Sequence, residues 1–129
     1  MESIVEIGKR HGSDKGTVHS YLEVYDVFFD CLRGGRINLV EIGVDKGESL
    51  KLWREVFGSG SICGIDHNQD TLGVPGCDVM IMSATDDKRI ASNWSDNSID
   101  VLIDDGSHKA TAQLLSWCYF WPKMKAGGI

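Results

Sequence analysis

Ile99-Asp100-Val101-Leu102-Ile103-Asp104-Asp105-Gly106-Ser107-His108 is an apolar run that stops abruptly at two carboxylates, a glycine and a histidine. Such a run reads as a buried strand, and in an open α/β sheet ligands bind at the C-terminal ends of the strands. Chemistry is therefore expected at Asp104, Asp105 and His108. The competing reading is a helix N-cap beside an exposed histidine. Against it, two carboxylates gathered at a buried strand end require a cation or hydrogen-bond donors to compensate them.

Upstream, a second strand-like segment at 37–43 ends in Glu41-Ile42-Gly43-Val44-Asp45-Lys46-Gly47. Glu41-x-Gly43-x-x-x-Gly47 between a strand and a helix lets a ligand approach the backbone while helix amides point into the crevice. A plain tight turn is the alternative. The next strand, 61–66, ends at Asp66, whose two acceptor oxygens match the vicinal hydroxyls of a ribose; a solvated loop aspartate would look the same. The strand at 78–82 runs into Ser83-Ala84-Thr85-Asp86, which sets Asp86 either beside an adenine ring or at the cap of the following helix.

Helices are predicted over 3–11, 18–32, 48–57, 86–93 and 109–121, with a turn-rich loop at 12–17. The second rests on Val18, Tyr21, Leu22, Tyr25, Phe28, Phe29 and Leu32 at helical spacing. The last puts Leu114, Trp117, Cys118 and Trp121 on one face before Pro122. Alternating strands and helices predict an α/β fold, a Rossmann-like doubly wound parallel sheet with right-handed crossovers. Lys123 to Gly128 reads as a helix exit into a strand beginning at Ile129. About four strands are thus expected, the one at 99–104 exposing an edge on which a second copy could pair as a homo-oligomer.

The 129 residues suit one domain, with a helical segment at 1–35 and a core at 36–129. A net charge of -6 disfavours nucleic acid as a partner, because backbone phosphates need a basic face. No stretch looks like a membrane span or a signal peptide, so a cytoplasmic setting is expected. Cys31, Cys63, Cys77 and Cys118 form no Cys-x-x-Cys pair and read as free, mostly buried thiols rather than disulfides or zinc ligands. Trp53, Trp117 and Trp121 read as core or as a water-excluding cover. His11 and His67 read as solvated, and His19 is a candidate for the pocket mouth.

Glu41-Ile42-Gly43 with Gly47, Gly64-Ile65-Asp66, Asp96-Asn97-Ser98-Ile99-Asp100-Val101 and Lys125-Ala126-Gly127-Gly128 resemble the class I S-adenosylmethionine-dependent methyltransferases. More narrowly, Gly12-Ser13-Asp14-Lys15-Gly16 with His19 and Tyr21, and Asp104-Asp105-Gly106-Ser107-His108, resemble the macrocin and mycinamicin sugar O-methyltransferase family over nearly the whole chain. Cephalosporin hydroxylase-like proteins share parts of the pattern. The resemblance implies methyl transfer from S-adenosylmethionine to a hydroxyl of a small-molecule acceptor, a glycosylated natural product, assisted by Mg2+. It implies Asp105 as a metal ligand, His108 as general base and Asp104 as support for their loop. Glu41, Gly43, Gly47, Asp66, Asp86 and Asp104 are then expected around the cofactor, and Ser13, Lys15 and Tyr21 on a loop that closes the pocket. The family's other acidic metal ligands follow a Gly-Gly exit like Gly127-Gly128, so a C-terminally incomplete domain and a half-built metal site are expected. Two alternatives stand beside this. An NAD-type oxidoreductase would use the same strand, glycine turn and acid but lacks the Gly-x-Gly-x-x-Gly spacing. A noncatalytic nucleoside-binding or assembly module would keep the pocket without the chemistry.

Overall fold

In the computed structural model, which describes residues 2–17 and 20–129, the sheet is built outward from β1 (Leu39–Ile42). On one side β1 pairs in parallel with β2 (Ile62–Asp66), which in turn pairs with β3 (Asp78–Ile81). On the other side it pairs in parallel with β4 (Val101–Asp104), giving the order β3-β2-β1-β4. This is the parallel α/β arrangement the alternating pattern predicts. The strands are shorter than the apolar runs: Ile37 and Ile99 are buried but lie just outside the ladders.

All four residues of β1 are buried, as a strand covered on both faces requires. One face is covered by α1 (Ile4–His11), α3 (Tyr21–Phe29) and α4 (Glu48–Phe57). There Leu39, Ile62, Val101 and Ile103 meet Ile4, Leu22, Phe29, Leu50 and Trp53. The opposite face is covered by α5 (Asp87–Asn93) and α6 (Ala110–Phe120), where Val40, Ile42, Cys63 and Ile65 meet Ile90 and Phe120. Successive strand side chains alternate between the two cores, as the pleat dictates. Glu41 follows Leu39 onto the α4 face and is fully buried.

The first helix forms as read. Ser3 and Glu6 close a capping box, satisfying the first free amides of α1 reciprocally. The 12–17 loop contains a single helical turn, α2 (Asp14–Thr17). The helix expected over 18–32 is α3 followed by a 3-10 turn at Asp30–Leu32; Val18 and His19, and with it the pocket-mouth expectation, lie outside the described residues. Pro122 falls within a 3-10 turn, Trp121–Lys123, that extends α6.

Three expectations are corrected. The outer edge of β4 is not bare: Ile129 N donates to Asp100 O, and Leu102 N donates to Ile129 O. The face of α6 carrying Leu114, Trp117, Cys118 and Trp121 is exposed rather than core, while Trp53 alone of the three tryptophans is buried. All four cysteines are free, but Cys31 and Cys118 are exposed and only Cys63 is fully buried. Among the described residues, no helix is long and apolar enough to cross a membrane.

Candidate active site

The sheet reverses direction of winding at β1, because β2 and β3 lie to one side and β4 to the other. A crevice opens at such a reversal above the strands' C-terminal ends, and ligands in open α/β sheets bind there. A cleft of about 750 Å³ occupies this place, bounded by the turns after β1, β2, β3 and β4 and by Lys15 and Tyr21 from the N-terminal segment. Its volume is that of a small-molecule site.

Gly43 shapes the cleft by a contact that sequence reasoning missed. Its φ is +91°, and a Cβ there would stand 2.4 Å from the carbonyl oxygen of Asp105 and 3.0 Å from Gly106 Cα. The glycine thus admits the loop after β4. Asp105 N donates to Ile42 O across the same gap. Gly47, at φ +81°, opens α4, and a side chain there would collide with Val74.

Asp66 ends β2 in the cleft wall with its carboxylate already engaged. Oδ2 accepts from Val44 N at 2.9 Å and Asp45 N at 3.1 Å, and Oδ1 accepts from Asn68 N at 2.9 Å. Burial works against the charge, but the three amides outweigh it and hold the carboxyl below the usual aspartate range. Asp66 therefore braces the glycine turn and has limited acceptor capacity left for a ribose. His67 beside it is solvated, as expected.

Asp105, Ser107 and His108 follow β4 and face the cleft, exposed. Asp104 lines it too, with Oδ1 accepting from Gly106 N and Oδ2 from Ser116 Oγ at 2.7 Å, which fixes the loop against α6. The helix cap reading of this cluster is excluded, since α6 starts only at Ala110 and its N-cap, Lys109, makes no side-chain cap. Lys15 Nζ contacts Asp105 Oδ2 and lies 3.2 Å from Glu41 Oε1 in an ion pair without hydrogen-bond alignment. Ser49 Oγ donates to the other Glu41 oxygen at 2.7 Å. Burial works against the Lys15 ammonium, but Glu41 and Asp105 outweigh it and raise its pKa above the ordinary value. Glu41 is shifted upward too, because burial exceeds the help it receives from Lys15 and Ser49.

The structure thus brings Gly43, Asp66, Asp104, Asp105, His108, Lys15 and Tyr21 to one cleft. Glu41, Gly47, Ser13 and Asp86 do not line it. Glu41 is sealed beneath as the partner of Lys15, and Ser13 is buried with no hydrogen bond to its hydroxyl among the described residues. Asp86 caps α5 by accepting from Arg89 N, leaving Ser83, Ala84 and Thr85 to line the wall. His11 is not simply solvated but pairs with Glu55 at 2.7 Å. Gln113 and Ser116 of α6 are lining residues that periodicity could not single out, since polar positions on a helix read as solvated.

Among the described residues, no group of three or more His, Cys, Asp and Glu side chains stands ready to hold a metal. Magnesium commonly takes only one or two protein carboxylates and keeps several waters. Asp105 fits that mode: its carboxylate faces the cleft, and its Oδ1 accepts no hydrogen bond from a described residue.

The parallel order, the glycine turn and the acid ending β2 define the Rossmann-like sheet of the class I methyltransferases, and solved structures agree. The MycE methyltransferase of the mycinamycin pathway, solved with Mg, S-adenosylhomocysteine (SAH) and mycinamycin VI, superposes with a TM-score of 0.87 at 27% identity, covering 98% of this chain and 37% of that one. The curated relatives are sugar O-methyltransferases. The chain is 29% identical over its whole length to 8-demethyl-8-alpha-L-rhamnosyl tetracenomycin-C 2'-O-methyltransferase of Streptomyces olivaceus, of which it covers 36%. It is 27% identical, over 96% of its length, to mycinamicin VI 2''-O-methyltransferase of Micromonospora griseorubida, of which it covers 34%. The chain therefore spans about a third of the length of these relatives. No family model matches it.

Proposed function

We propose that this chain forms the S-adenosylmethionine-binding part of an O-methyltransferase that acts on a hydroxyl of a glycosylated natural product in the cytoplasm. The observation that carries the proposal is the convergence of the Gly43 turn, the Asp66 strand end and the Asp105–His108 loop on one cleft. The nucleoside fits between the tips of β1 and β2, where Gly43 lines the cleft and the spare acceptor capacity of Asp66 meets a ribose hydroxyl. Ala84 and Thr85 supply the wall for the base.

A sugar hydroxyl is a poor nucleophile at neutral pH, so the reaction needs its proton removed as the oxygen attacks. His108, exposed to the cleft three residues beyond Asp105, accepts that proton, and Asp105 would hold the magnesium ion. When bound, the ion would polarise the acceptor oxygen and the sulfonium would supply the methyl group. Asp104 keeps the loop in register through Ser116 and Gly106, so that base and ion ligand stay together. General-base catalysis contributes typically ~10²–10⁴-fold. His108→Ala should therefore lower Mg2+-dependent methyl transfer to a glycosylated acceptor by about that factor while SAH affinity, measured by calorimetry, stays within about twofold. Equal rates in the variant and the parent would reject His108 as the base.

A further inference from the structure

Lys15 has almost no access to water: its side chain is 4% exposed, and Glu41 beneath it is 0% exposed. The two carboxylates it touches differ in kind. Glu41 is sealed in the α4 face of the core with Ser49 on its other oxygen, so it is a fixed counter-charge. Asp105 stands at the cleft with its side chain 38% exposed, where a solute can reach it. Stripping Lys15 from Glu41 would leave a buried charge unpaired, a heavy penalty, whereas Asp105 can exchange one cation for another. The contact also joins positions 90 residues apart, tying the N-terminal turn α2 to the end of β4.

We propose that Lys15 is a stand-in cation for Asp105, holding its carboxylate while the cleft contains no divalent ion and competing with such an ion for it. The inference rests on Asp105 being an ion ligand, as read above. Without the ammonium, the carboxylates of Glu41, on β1, and Asp105, just after the adjacent β4, would repel each other uncompensated. With it, an arriving divalent ion meets a positive charge already on its ligand. Lys15 is then a positioning residue: it sets the rotamer of Asp105 and the ion concentration the site requires.

The test uses Mn2+ as the probe, with free ion followed by electron paramagnetic resonance. Lys15→Met should bind Mn2+ about tenfold tighter than the parent, the equivalent of one charge-assisted contact removed. Because Lys15→Met leaves Glu41 unpaired, Lys15→Met/Glu41→Gln is measured beside it, with near-UV circular dichroism to confirm packing, and the same tightening is expected. Unchanged or weaker binding in a folded double variant would overturn the stand-in role, while loss of binding in Asp105→Asn would still uphold the ion site. Mn2+ affinity that is unaffected by Asp105→Asn, or absent from every form, would overturn the ion site and the stand-in role together.

Discussion

Asp66 shows how one residue serves fold and site at once. Its three amide donors favour the ionised form, so its folded pKa lies below the unfolded value of about 3.9. A depressed folded pKa gives stability that is fully present above the unfolded value and is lost as pH falls through the folded one. Asp66→Asn should remove that part of the acid limb of a urea-unfolding profile below about pH 4 and cost about 1–3 kcal/mol at neutral pH, because an amide nitrogen would face backbone donors. Parallel pH profiles for the parent and the variant would contradict this. The sequence placed Asp66 at a strand end, which was legible from the apolar run before it. That its oxygens were already committed was not legible, since the donors at Val44 and Asp45 come from a turn across the sheet. The same limit hid the partner of Glu41: the sequence motif put this acid beside the cofactor, whereas it is sealed beneath the cleft and covered by Lys15.

The elements that place the site are the turn after β1 and the loop after β4, and Gly43 is where they touch. A side chain at φ +91° that also meets a carbonyl oxygen at 2.4 Å cannot be absorbed by a rotamer change. Gly43→Ala should destabilise the protein by about 2–4 kcal/mol, combining backbone strain with overpacking, and should displace Asp105 and His108 enough to reduce SAH affinity. Urea unfolding and calorimetry measure the two effects; a stable variant with parental affinity would show that the loops do not need this close approach. The glycine was marked in the sequence as a ligand-approach position, and its second duty appears only when β4 is seen beside β1. The α6 helix carries the opposite lesson. Periodicity located its apolar stripe at Leu114, Trp117 and Trp121, yet these side chains are 63%, 51% and 60% exposed. Spacing reports which residues share a face but not what covers that face. Ser116 and Phe120, on the buried side, hold α6 to the sheet and to Asp104.

For the whole molecule, the parallel sheet and its two helical layers were legible because each strand is a short apolar run closed by turn residues. The strand order, β3-β2-β1-β4, was not legible, because alternating strands and helices do not say on which side of β1 the chain places β4. The site was legible to the extent that strand ends fall together in such a sheet. Its long-range ties, Lys15 to Asp105 above all, depend on side-chain reach that no local pattern encodes. Similarity to sugar O-methyltransferases over the full chain, and a 0.87 TM-score to a structure solved with SAH and Mg, support the reading over an NAD-type oxidoreductase. The decisive measurement is a crystal structure of this chain soaked with SAH. The ribose is expected against the Asp66 strand end, with the sulfur turned toward Asp105 and His108. A nucleoside bound elsewhere, or these strand ends empty at saturating ligand, would contradict this.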